Sequence, residues 1–337
     1  MKNILLVFTG GTIGSRVEHG TIDTSAAAGF KLLQLFAERD SDPDSVSFKI
    51  SRPLQILSEN LHPRHWRQII AAIEIEDLSR FDGIILTHGT DTLAFSAAAL
   101  GLYFNRLPIP LLLVSSDLPL DNPQANGLPN FLCAVEFIRQ VSQGGAFVPY
   151  KNPDQVMRVH IATRLVSSLP LGSDFLGVQS KAFMSFANGE FIRGESLPCG
   201  EGPPISLKSD FSARILLIRP YPGLDYSQFN LDGTDAVLHD LYHSGTACVS
   251  PAWGERHSLI EFIKHCRQRH LQIYLAPAMK SESAYSSTKE LMAHGAKMLW
   301  NMSLEAAYAK LLLAYGSFGD APAVEDFLVQ KIAWEQV

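Results

Sequence analysis

The sequence predicts an α/β fold in two domains, and three observations lead there. Short β-rich apolar runs alternate with amphipathic helical stretches along the whole chain of 337 residues. Two of the apolar runs flow straight into turns rich in glycine and hydroxyls, as strands do when they deliver a loop to a ligand. Between 194 and 212 the periodicity fades into Pro198, Gly200, Gly202, Pro203 and Pro204, which reads as a linker.

Taken in order, strands are expected at 4–8, 83–87, 111–114 and 156–161, then at 215–219, 247–250 and 272–276. Helices are expected at 26–39, 64–78, 93–105, 130–143, 258–270, 288–294 and 304–315. Strands separated by helices call for crossover connections and hence for parallel pairing. The domains are therefore a larger N-terminal one at 1–193, which carries the candidate chemistry, and a C-terminal α/β one at 213–337.

With 46% hydrophobic residues and a net charge of −6, the chain has the makings of an ordinary globular core and no clustered basic footprint. No nucleic-acid or membrane partner is expected. The opening Met1-Lys2-Asn3-Ile4-Leu5-Leu6-Val7-Phe8 runs into glycines without a small-residue cleavage site, so it reads as a buried strand and the protein as cytoplasmic. Four scattered cysteines, Cys133, Cys199, Cys248 and Cys266, have no metal-finger spacing and read as reduced thiols.

Chemistry concentrates in two turns. Thr9-Gly10-Gly11-Thr12-Ile13-Gly14 follows the first strand, where glycines let amide groups face an anion while Thr12 presents a hydroxyl. The spacing is neither that of a dinucleotide fingerprint nor that of a phosphate loop. Thr87-His88-Gly89-Thr90-Asp91-Thr92 follows the run 83–86; Asp91 or Thr92 alone could cap the next helix, but a cap does not account for the whole cluster. In a parallel sheet both turns meet outside the carboxyl ends of the strands.

Together these motifs resemble the bacterial-type L-asparaginases. The likeness extends through Leu57-Ser58-Glu59-Asn60-Leu61, Val114-Ser115-Ser116-Asp117-Leu118-Pro119, Tyr221-Pro222-Gly223 and Asn301-Met302-Ser303-Leu304-Glu305-Ala306-Ala307. It implies a two-domain asparaginase-like fold, an amidohydrolase acting on the side-chain amide of an amino acid, no metal or organic cofactor, and a homodimer or homotetramer. By the same resemblance Thr12 is the nucleophile, with Thr90 and Asp91 as its second catalytic pair. Gly11, Ser58, Glu59 and Ser116 hold substrate. The hydroxyl would attack the amide carbon, ammonia would leave, and water would hydrolyse the acyl-threonine ester.

Two family positions are not matched. A first-loop tyrosine is replaced in Gly20-Thr21-Ile22, and a lysine is missing from the stretch 165–172. Glu18, His19, Arg164 and Lys181 are the nearby substitutes, although an arginine stays protonated and cannot act as a base. His62 and His65 read as exposed or capping residues, and His88 as a packed one that orients its turn. Three functions remain open: an asparagine-type amidohydrolase, a degenerate member that senses an amino acid, and an amidohydrolase or amidotransferase component with another substrate.

Overall fold

The computed structural model describes residues 1–18, 21–24, 26–194, 205–212 and 214–337. The chain forms two compact units, Met1–Ser209 with Ile332–Trp334, and Asp210–Lys331 with Glu335–Val337.

In the first unit the elements run β1 (Lys2–Val7), β2 (Ser15–Glu18), β3 (Thr21–Thr24), α1 (Ala26–Arg39), β4 (Val46–Ser51), α2 (Pro63–Glu74), β5 (Gly83–Thr87) and α3 (Leu93–Tyr103). They continue as β6 (Pro110–Val114), α4 (Gly127–Gln140), β7 (Gly145–Tyr150), β8 (Met157–Ile161), β9 (Leu165–Val166), β10 (Leu176–Gly177), β11 (Met184–Ala187) and β12 (Glu190–Arg193). Eight strands build one sheet in the order β12-β11-β8-β7-β6-β5-β1-β4. From β4 to β7 the pairing is parallel; β8, β11 and β12 then join antiparallel.

Burial explains why these segments sit where they do. Every residue of β5 and β6 is buried, the continuous apolar signature of strands covered on both faces. Helix α3, apolar all round, buries nine residues from Leu93 to Leu102, whereas α2 buries only Trp66, Ile69, Ile70 and Ile73, a single stripe. His62 and His65 cap α2: the Arg64 amide donates to Nδ1 of His62, and the His62 amide to Nδ1 of His65. Both are capping residues, His62 just before the helix and His65 in its first turn.

Strand order also fixes where a ligand fits. After β1 the chain moves outward to β4, then returns across β1 to β5 and proceeds to β6. Connections thus diverge between β1 and β5, which makes their carboxyl ends a topological switch point.

The second unit contains β13 (Ile215–Ile218), β14 (Ala236–Asp240), α5 (Leu259–Gln268), β15 (Gln272–Ala278), α6 (Ser286–Ala293), β16 (Lys297–Trp300), α7 (Leu304–Ser317) and α8 (Ala321–Val329). Its four strands pair in parallel in sequence order. One expectation is corrected here: 247–250 is not a strand, and the strand beside β13 is β14. The Cys248 carbonyl instead accepts from the Leu259 amide at the start of α5, so this short apolar run is a loop tied to a helix. Among the described residues no helix is long and apolar enough to cross a membrane.

Candidate active site

Glycines weld the two turns to each other. Gly10 and Gly11 have φ of +100° and +77°, and a Cβ on Gly11 would lie 2.3 Å from the Gly89 nitrogen and 2.5 Å from its Cα. No side chain fits there, so the backbone after β1 lies directly on the backbone after β5. Across the strand ends the Thr9 hydroxyl donates to the Thr87 carbonyl at 2.5 Å, and the His88 amide donates to the Val114 carbonyl at 2.8 Å. On the other side the Gly11 amide donates to the Ile56 carbonyl at 3.0 Å. Thr12 and Thr90, each next in sequence to one of the touching glycines, are both half-buried.

Ser58 completes the contact. A Cβ on Gly89 would meet its Oγ at 2.4 Å, so the serine lies under the second turn, 4% exposed. Its hydroxyl donates to Oδ2 of Asp91 at 3.0 Å and accepts from the Asp91 amide at 3.2 Å. Thr92, at the N-terminus of α3, makes no side-chain cap; its hydroxyl donates to the Ser58 carbonyl at 3.0 Å. Gly11, Ser58, Gly89 and Asp91 are thereby brought together, with Asp91 and Glu59 exposed to solvent.

His88 is packed beneath the turn at 2% exposure. Burial lowers its pKa and holds it neutral, and Nδ1–H donates to the Gly89 carbonyl at 2.7 Å, so it orients the turn. Ser116 is buried, and its hydroxyl donates back to the Leu118 carbonyl at 2.5 Å. The neighbouring Ser115 Oγ, which the motifs alone do not single out, is buried without a hydrogen-bond partner among the described residues. Two adjacent serines after an apolar strand were the available signal.

The substitutes for the lost groups fare differently. His19 and Gly20 lie outside the described residues, as do the side chains of Glu18 and Thr21; the backbone around them pairs β2 with β3. Arg164 is buried and its Nε donates to the Trp334 carbonyl. Lys181 is exposed, and its carbonyl sits against Gly177 beside His160. His160 is on β8, and three strand spacings separate β8 from β5. At the usual spacing that is roughly 14 Å along the sheet.

Two glycine–hydroxyl turns in backbone contact at a switch point define an open α/β protein with a small polar site at its strand ends. The chain belongs to the asparaginase family, its residues 3–169 matching the family model described as asparaginase, N-terminal. Its fold is similar to that of the thermostable L-asparaginase from Thermococcus kodakarensis, with a TM-score of 0.82 over 99% of each chain at 24% identity. L-asparaginase I from Vibrio cholerae aligns with a TM-score of 0.80 over 100% of this chain and 99% of that one, at 22% identity. Among its relatives are a glutamyl-tRNA(Gln) amidotransferase subunit from Metallosphaera sedula, 25% identical over 98% of this chain and 76% of the relative, and its counterpart from Methanopyrus kandleri, 27% identical over 99% and 75%. The two-domain asparaginase-like fold expected from the motifs is the fold of this chain.

Proposed function

We propose that the chain is an amidohydrolase that releases ammonia from the side-chain amide of asparagine or a close relative of it. The contact of Gly11 with Gly89 supports this reading, because Thr12 and Thr90 each follow one of the touching glycines and the Ser58–Asp91 bond lies against the same turn. Thr12 attacks the amide carbon, Thr90 and backbone amides stabilise the oxyanion, and water releases the acid from the acyl-threonine ester. Asp91, steadied by Ser58, together with Glu59 offers carboxylates for an α-ammonium group. Gly11 and Ser116 border the same ligand, and the active form is a cytoplasmic homodimer or homotetramer.

A second reading has its own observation behind it. The stretch 165–172 holds no lysine, and Lys181 lies three strand spacings from β5. A hydroxyl with no partner to take its proton is a poor nucleophile near neutral pH, and a site left in that state would bind an amino acid without turning it over. The names of the relatives, L-asparaginases and glutamyl-tRNA(Gln) amidotransferase subunits, favour a carboxamide in either reading.

The deciding experiment measures ammonia release from asparagine, glutamine and an aspartyl-amide peptide by wild type and Thr12→Ala, beside a thermal-shift screen with the same compounds. Turnover lost in Thr12→Ala supports the amidohydrolase. Stabilisation without turnover supports the sensor, and neither response to any amide refutes both.

A further inference from the structure

By the ladder register, three buried groups form one row across the carboxyl ends of β5, β6 and β7. His88 lies beside Ser115, because its amide donates to the Val114 carbonyl at 2.8 Å, one step beyond the Thr87–Val114 pair. Ser115 in turn comes beside Tyr150, three steps beyond the Leu112–Phe147 pair of β6 and β7. Side chains in register share a face of the sheet, and neighbouring strands lie about 4.8 Å apart. All three residues are buried, His88 at 2% exposure and the other two at 0%.

Ser115 Oγ and the Tyr150 phenol oxygen have no hydrogen-bond partner among the described residues. Neutral His88 gives its Nδ1–H to the Gly89 carbonyl, which leaves Nε2 as an acceptor. The polar groups around the row are already engaged. Ser116 gives its hydroxyl hydrogen to the Leu118 carbonyl at 2.5 Å. Asn126, which the Tyr150 phenol approaches, accepts from the Asp117 amide and donates to the Lys151 carbonyl, each at 2.9 Å. At this level β6 and β7 are joined by a side chain, Asn130, which donates to the Ser115 carbonyl and accepts from the Lys151 amide, each at 2.9 Å. An amide group in place of a direct ladder bond widens the gap between the two strands. Buried hydroxyls are seldom left unmet, and two of them beside an imidazole acceptor offer a water the two to four partners it needs.

We propose that Ser115 and Tyr150 are positioning residues, which together hold a buried water that donates to Nε2 of His88. Anchored at both ring nitrogens, His88 fixes the Gly89 carbonyl and with it the turn that carries Thr90 and Asp91. The importance of that turn for an amide rests on the function proposed above, whereas the link from the hydroxyls to the imidazole does not.

Nitrogen-15 NMR of the full chain, with the ring of His88 assigned by comparison with His88→Gln, should place Nε2 at the shift of a hydrogen-bonded acceptor and show a cross-peak from water to the ring protons. Ser115→Ala and Tyr150→Phe should each move Nε2 toward the shift of a bare acceptor and weaken the cross-peak, while Nδ1 keeps its hydrogen. Ser115→Thr, which retains a hydroxyl, should keep the wild-type shift, and a cooperative melting curve shows that each variant has folded. Affinity or KM for an amide should weaken about 2- to 10-fold in Ser115→Ala and in Tyr150→Phe, the weight of one neutral hydrogen bond. A wild-type Nε2 at the bare shift overturns the proposal, as does a shift that either variant leaves unchanged, and amide affinity untouched by both variants overturns the positioning role. A chain that responds to no amide refutes the proposed function instead, and the nitrogen shifts still decide the link.

Discussion

Ser58 and Asp91 close a two-way bond, the serine hydroxyl donating to the carboxylate at 3.0 Å and accepting from the aspartate's own amide at 3.2 Å. This ties the chain after β4 to the turn after β5 and fixes the orientation of an otherwise exposed carboxylate. Ser58→Ala removes both bonds. Hydrogen bonds to a charged group are worth about 1.5–3 kcal/mol, and the exposure of Asp91 puts this one at the low end. Steady-state kinetics on an amide substrate should show KM rising more than kcat falls, since a carboxylate that positions the substrate's amine is loosened. Equal loss in both would mean that the pair acts on the reacting atoms instead.

Gly11 and Gly223 separate two kinds of glycine requirement. Both have positive φ, +77° and +86°, but a Cβ on Gly11 collides with the Gly89 backbone while one on Gly223 meets nothing within 4 Å. Gly223→Ala should therefore cost only the left-handed conformation, about 1–2 kcal/mol. Gly11→Ala must also push the two turns apart, and it should lose stability well beyond that together with all ligand response. Urea unfolding of the two variants checks the order, and equal losses would show that the turns are not in contact.

The parts of this fold that were legible in the sequence are those in which local pattern and burial agree. The strands β1 and β5 are apolar runs ending in glycine–threonine turns, and their adjacency follows from parallel pairing. β14 was missed because His239 and Asp240 make its end look polar, whereas the fold buries His239 against Tyr226. The run 247–250 was mistaken for a strand because four residues carry too little period to tell a strand from an apolar loop. The place of Ser58 beside Asp91 was suggested only through resemblance; its bond to Asp91 spans 33 positions and leaves no local trace. The position of Lys181 could not be read either, since it depends on the sheet turning antiparallel after β7.

Acid should weaken the fold through buried imidazoles before carboxylates matter. Burial pushes His160 down to about 4, with the charge of Arg158 adding to it, and burial likewise takes His239 to about 4 against the opposing pull of the Asp240 carbonyl. An unfolded histidine titrates near 6.5, so between that value and 4 the unfolded chain binds more protons. Stability is full above pH 6.5 and falls as pH drops toward 4, by about 3 kcal/mol for each histidine at most. Asp40 and Asp82 have carboxyls held below their ordinary value, so their contribution is lost only at still lower pH. Urea unfolding at pH 7 and 4.5 should show the drop, and His160→Leu should shrink it; the same drop in the variant would exonerate this histidine.

The clearest kinetic forecast concerns the missing cation. Lys181 sits beside β8, three strand spacings from β5, and the buried Arg164 is bonded to the Trp334 carbonyl. The family's lysine has no counterpart in 165–172, and a positioned acid–base group is typically worth about 10²- to 10⁴-fold in rate. Ammonia release should accordingly be lower by about that factor than in a family member with the lysine in place, and Lys181→Met should leave it unchanged. Under the proposed mechanism Thr12→Ala should remove what turnover there is, and Thr90→Val should lower kcat, because there the lost hydroxyl serves the oxyanion rather than the ground state. Assays of the wild type and these three variants with asparagine decide the matter. A large loss in Lys181→Met would mean that the chain beyond β8 folds back over the strand ends, and activity that survives Thr12→Ala would move the nucleophile to another residue of the site.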